Sequence, residues 1–183
     1  TPVDSLAADV IFDGNSTVTD TSVYTDDVYV GRTQSSNLLI DNGKITAYNI
    51  NIGRLFNGQI FESTVTVSGP DAELNALNDQ AVLHGSLDLG LGTLRVENGA
   101  LASAKEIVVG TTPGYDSHLI ATGLNSRINT NYLSIGTTAG SRPTLSVEDG
   151  PVVNTSLQAR IGDGHDPDET DKLNPKATVP GAN

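Results

Sequence analysis

LDLGLGTLRVENGALASAKEIVVG, residues 87–110, holds three short apolar–polar alternations, each closed by glycine. LDLG (87–90) and IVVG (107–110) end in Gly alone, whereas LRVENG (94–99) ends in an acidic residue, an amide and Gly. The same order occurs upstream as VYVG (28–31), LLIDNG (38–43) and INIG (50–53). It occurs again downstream as LSIG (133–136), LSVEDG (145–150) and ARIG (159–162). VTVSG (65–69), LIATG (119–123) and ATVPG (177–181) add one strand-like segment to each copy. Alternation with period two over four to six residues is strand behaviour. Gly43, Gly99 and Gly150 are 56 and 51 residues apart, so the unit is about 50 residues and tolerates insertions. A repeat on this scale sets the architecture and points to function spread over a surface.

Short strands of one pattern fit a sandwich, a barrel or a β-helix. The recurrence of Ile, Leu and Val at equivalent places, with Gly at one recurring corner, favours stacking. The expected fold is all-β, a right-handed parallel β-helix with two rungs per unit. Rungs of roughly 20–25 residues would give about eight of them and a rod of roughly 40 Å. The inward set comprises Val28, Val30, Leu38, Ile40, Ile50, Ile52, Val65, Val67, Leu87, Leu89, Leu94, Val96, Ile107, Val109, Leu133, Ile135, Leu145, Val147 and Ile161. Asn42 and Asn98, each before a turn Gly, are candidates for a short amide ladder, which Asp149 would interrupt. Residues 1–27 read as irregular strands or a cap, and 28–183 as the repeats. Residues 70–86 read as an insertion, a loop or irregular turn in preference to a helix through Leu74, Leu77 and Ala81. KATVPGAN (176–183) has the shape of the start of a fourth unit, and the first residue is Thr1. Both features fit a segment of a longer array.

The 183 residues carry a formal net charge of −12, with 4% aromatic residues and no Cys, Met or Trp. That balance argues against a nucleic-acid partner, which needs clustered Lys and Arg. It argues equally against simple attraction to anionic lipid or sulfated glycans and favours solubility. Arg32, Arg54, Arg127, Arg142 and Arg160 lie near repeat corners and leave room for a local basic patch. Without cysteine there is no disulfide framework and no thiol chemistry. Absent cysteine also suits an exported bacterial chain that crosses membranes unfolded.

VTVSG, LDLG and TLRVENGALASAKEIVVG together resemble the repeat of bacterial autotransporter passenger domains, the type V secreted adhesins. Those repeats often run V-T-V-S-G, L-x-V-G, G-T-L-x-V/I-x-N-G and then I-G. The resemblance covers most of residues 28–181 and is poorest over 1–27 and 70–86. It implies a location at the bacterial cell surface or in the medium, with export and membrane attachment through a C-terminal outer-membrane barrel. No active-site motif of such passengers matches, so the resemblance carries over no catalytic residue.

Candidate chemistry is sparse. His84, His118 and His165 lie in different units, with no metal-site spacing. No nucleophile elbow occurs, and GLGT (90–93) lacks the Lys of a phosphate loop. The acidic loop 163–171 offers oxygen ligands for Ca²⁺, but Pro167 limits wrapping and a solvated loop is the simpler reading. No metal or cofactor is therefore expected. Asp41, Glu97, Glu148 and Asp149 occupy equivalent strand ends and would form an acidic column without a basic column beside it. The loops after the terminal glycines, 32–37, 54–63, 111–118 and 137–143, should stack near common corners. Their Arg32, Phe56, Phe61, Tyr115, His118 and Arg142 form the candidate binding set, since polar surface with aromatics and Arg suits an interaction face. The expected function is adhesion or self-association without bond chemistry. The partner would be a host surface or matrix protein, a glycan, or another copy of the chain. The alternatives are a polysaccharide-processing β-helix enzyme and an inert spacer.

Overall fold

The computed structural model describes residues 9–76, 85–136, 138–162 and 176–178. Within them the chain is all-β, and its strands run parallel to their neighbours in adjoining turns. The first turn holds β1 (Val10–Phe12), β2 (Gly14–Val18) and β3 (Thr21–Val23). The second holds β4 (Val28–Val30), β5 (Ser36–Asp41) and β6 (Lys44–Ala47). The third holds β7 (Ile50–Ile52), β8 (Ser63–Ser68) and β9 (Glu73–Ala76). Next come β10 (Ser86–Leu89), β11 (Gly92–Glu97), β12 (Leu101–Val109), β13 (Asp116–Thr122) and β14 (Arg127–Ile135). The path closes with β15 (Arg142–Glu148), β16 (Val152–Ile161) and β17 (Lys176–Thr178).

The strands build three faces. The first carries β1, β4, β7, β10 and the C-terminal halves of β12, β14 and β16. The second is β2-β5-β8-β11-β13-β15-β17, and the third is β3, β6, β9 and the N-terminal halves of the same three long strands. About five turns, at a spacing of about 26 residues, carry the chain from β2 to β15. The 50-residue unit is thus two turns. The second face stacks seven described strands against the eight rungs expected, and at about 4.8 Å per step they span roughly 29 Å, short of the roughly 40 Å expected.

Doubling of the period arises at the corner between the second and third faces. There Asn42, Asn98 and Asp149 take left-handed conformations (φ 53°, 57° and 62°) in alternate turns, which Asn and Asp tolerate through their short polar side chains. The intervening turns place Gly69 at that position, and Gly123 with Asn125 (φ 66°) two residues on. Asn42 and Asn98 are therefore two turns apart and build no ladder. Asn42 Nδ2 donates to Asp41 Oδ1 (3.1 Å) and Asn98 Nδ2 to Ser68 Oγ (3.0 Å). At the corner between the first and second faces, Gly53 has a φ of 56°. A Cβ at Gly53 would lie 1.8 Å from the carbonyl oxygen of Leu91. Glycine recurs here because the next turn's backbone occupies that space.

Inward residues stack in rows: Val28, Ile50, Leu87, Ile107 and Leu133 on the first face, Leu38, Val65, Leu94 and Leu119 on the second. A fully buried side chain of this size contributes about 1.5–3 kcal/mol. The third face adds Ile45, Leu74, Ala102 and Ile128 in register. Leu74 and Ala76 are core residues of β9, so Glu73–Ala76 within 70–86 is regular strand. Leu77, Ala81 and the rest of 77–84 lie outside the described residues, as does the acidic loop 163–171. Leu145 and Val147 are only half-buried and Ile161 is 48% exposed, against expectation. They belong to the last described turns, where β16 pairs only with β14 among the described residues and the three-residue β17 reaches Leu145 but not Val147.

Candidate functional site

Corner length differs sharply between the first and second faces. The link is 31–35 after β4, 53–62 after β7, 90–91 after β10 and 110–115 after β12. The expected stack of loops does emerge along this one edge. The single-residue protrusion of Leu91 divides it into two clusters.

In the first cluster Arg32 is a pin and not a free cation. Its guanidinium lies 4.0 Å from the centroid of Phe56 and 4.5 Å from that of Tyr29. It also meets Asp9 Oδ2 at 2.8 Å, and its side chain is 17% exposed. Phe56 belongs to a tight hairpin, exchanging backbone hydrogen bonds with Gln59 at 2.8 and 2.9 Å. Asn57 and Gly58 supply the two positive φ angles (49° and 77°), as an Asn-Gly hairpin turn requires. Phe61 is half-buried at the base of this loop, where its carbonyl accepts from Ser63 Oγ at 3.2 Å. Arg54 donates to Asn51 Oδ1 (2.8 Å) and lies 4.0 Å from Asp88 Oδ2.

In the second cluster Arg142 grips Asp116 with two nitrogens, at 2.7 and 3.4 Å. The hydrogen bond from Arg142 holds the Asp116 carboxyl below its ordinary value. The Arg142 amide donates to the carbonyl of Tyr115 at 3.0 Å, which places the exposed Tyr115 beside it. His118 sits apart, half-buried on the outside of the second face, with Nδ1 2.7 Å from Thr144 Oγ1. The six candidate residues thus form an Arg32–Phe56–Phe61 group, a Tyr115–Arg142 group and a detached His118.

The acidic column does not form. Asp41, Glu97 and Glu148 fall on alternate turns, with Ser68 and Thr122 at the intervening positions. At about 4.8 Å per turn, successive carboxylates are separated by roughly 10 Å of backbone. Glu97 is engaged by Arg95 Nε at 2.9 Å, and Glu148 accepts from the Ser146 hydroxyl. Among the described residues no group of three His, Asp or Glu is placed to hold a metal ion. His84 and His165 lie outside the described residues.

The corner between the third and first faces carries a feature that glycine punctuation does not mark. β12, β14 and β16 pass through it as continuous strands. Three depressions of about 810, 530 and 240 Å³ follow this edge. The first two share Lys105, and the last two share Glu106 and Tyr132. A sequence signal exists only in retrospect: LASAKEIVV and RINTNYLSI run nine residues without Gly or Pro.

Comparison of the chain with protein-family profiles, curated proteins and solved structures gave no match.

Proposed function

We propose that this chain is part of the β-helical shaft of a bacterial autotransporter passenger, acting at the cell surface in adhesion and self-association. Attachment to the membrane would lie in a C-terminal barrel. The repeat resemblance and the three-faced solenoid support the first statement. The observation that carries the second is the variable corner between the first and second faces. The corner between the second and third faces keeps to links of two to four residues, whereas this one ranges from one to ten. Connecting segments on a rigid scaffold are where recognition residues concentrate. Phe56, Tyr115 and Arg142 are exposed on that edge, and residues of these types dominate interface energetics. Two short clusters a few turns apart suit many weak contacts summed along a shaft.

Light scattering of the purified chain over a range of concentrations, at low and high salt, tests this reading. The expected result is a reversible dimer that weakens with salt. Phe56→Ser with Arg142→Glu should abolish it without changing the thermal melt. A monomer in every condition would remove self-association and leave a host ligand or a spacer role.

A further inference from the structure

We propose that the groove along the corner between the third and first faces binds an extended, uncharged oligosaccharide. This concerns a different edge from the one assigned to self-association and stands or falls separately.

From β12 to β16 the groove is built by strands that bend without a loop; on the preceding turn Ala76 and Gly85 line it, and residues 77–84 between them lie outside the described residues. β16 carries one residue more than β14 at the bend, where the register shifts between Thr130 and Tyr132. An extra residue on one strand bends it and opens the surface locally. The depressions share lining residues across the bend, and the largest runs along the axis from Ala76 of β9 through β12 and β14 to Asn154 of β16. The largest, about 810 Å³, falls in the size range of ligand pockets.

Beside Ala76 and Ala104, the largest depression is lined mainly by amide and hydroxyl side chains. Ser103, Asn129 and Asn154 stand in register on successive turns of the third face. Asn154 Nδ2 donates to Asn129 Oδ1 (3.0 Å), and Ser156 Oγ to Asn131 Oδ1 (2.8 Å). Each carboxamide has two donor hydrogens and two acceptor lone pairs, so these bonds use part of its capacity. Groups that donate and accept side by side match neighbouring sugar hydroxyls, which do the same. The row repeats about every 4.8 Å, so a polymer lying along the axis meets the same chemistry at each turn. Tyr132, 36% exposed, offers a ring for the apolar face of a pyranose.

Charge decides between classes of glycan. Lys105 and Arg160 are matched in the trough by Asp88 and Glu106. A sulfated or uronic polymer would find no net positive charge there, and the chain as a whole is at −12. A peptide strand is disfavoured because β12 and β14 are paired on both sides along this edge. Strand addition needs a free edge.

The test titrates the whole 183-residue chain with cellohexaose, maltohexaose, mannohexaose and a heparin hexasaccharide, read by calorimetry and by saturation-transfer NMR. The proposal expects one neutral hexamer to saturate at or below millimolar concentration and to bind more tightly than its dimer. Tyr132→Ala should weaken binding about tenfold, the loss of roughly one stacking contact. Tyr115→Ala, on the other edge, should leave it unchanged. If Tyr132→Ala lowers the thermal melt, Gln158→Ala takes its place, since Gln158 is exposed and lines the trough. Absence of saturation by every neutral hexamer overturns the proposal, as does preference for the heparin fragment or indifference to both trough variants.

Discussion

Asp88 lies on the outer side of β10, between Asn51 and Val108 of the neighbouring turns. Burial raises its carboxyl above the ordinary value of 3.8, and Arg54 at 4.0 Å with the Ser86 hydroxyl only partly offsets that. A carboxyl whose folded pKa lies above its unfolded one stabilises the fold fully below the unfolded value. That contribution is lost as pH rises through the folded value. Asp88→Asn should therefore melt higher than the parent chain at pH 7, and the two should converge near pH 3. A variant that melts lower at pH 7 would show that the Arg54 pairing outweighs burial. Beside Asp88, Asn51 is 1% exposed, and its Nδ2 has no partner among the described residues. That desolvation cost is tolerated where the 54–62 loop is tied to the face through Arg54. Such tension was not legible in LDLG, because polarity at alternate positions reads as solvent-facing until a neighbouring loop covers it. Residues 54–63 were expected only as a loop, although the Asn57-Gly58 pair within it carries the local signal of a tight hairpin turn.

At the scale of elements, alternation fixed which side of each strand faces inward, and the rows agree from Val28 to Ile135. Agreement weakens toward the end of the described stack. Leu94, in β11 between the six-residue β8 and the seven-residue β13, is wholly buried, whereas Leu145, in β15 between β13 and the three-residue β17, is half-buried. Leu94→Ala should cost about 2–5 kcal/mol in urea denaturation, and Leu145→Ala less than half of that. Equal losses would mean that the core is not graded along the axis. β9 shows the converse limit. Glu73–Ala76 has one apolar alternation too few to announce a strand, but its register with β6 and β12 places Leu74 and Ala76 in the core. The candidate site divided in the same way. Exposed aromatics in glycine-bounded loops could be read from the sequence, but the pairing of Arg32 with Tyr29 and Phe56 across 3 and 24 positions could not.

For the whole molecule, each turn touches only its neighbours, so stability is close to a sum of turn and interface terms. Hydrogen exchange should then grade along the axis. Amides of β8 and β11 should be the slowest, and those of β1–β3 and β16 the fastest, because terminal turns open at lower free energy. Uniform protection from β1 to β16 would indicate one indivisible cooperative unit instead. The sequence by itself determined that the strands are short, parallel-stacked and glycine-cornered, because period-two alternation and left-handed corners are local backbone requirements. Two rungs in a unit of about 50 residues already placed a turn near the 26 residues observed, whereas which residues stand together was decided by the tertiary structure. It alone brought Asn129, Asn131 and Tyr132 into one trough with Lys105 and Glu106. Stacking sets a residue's neighbours by register across a full turn, and no local pattern encodes which residue will stand one turn away.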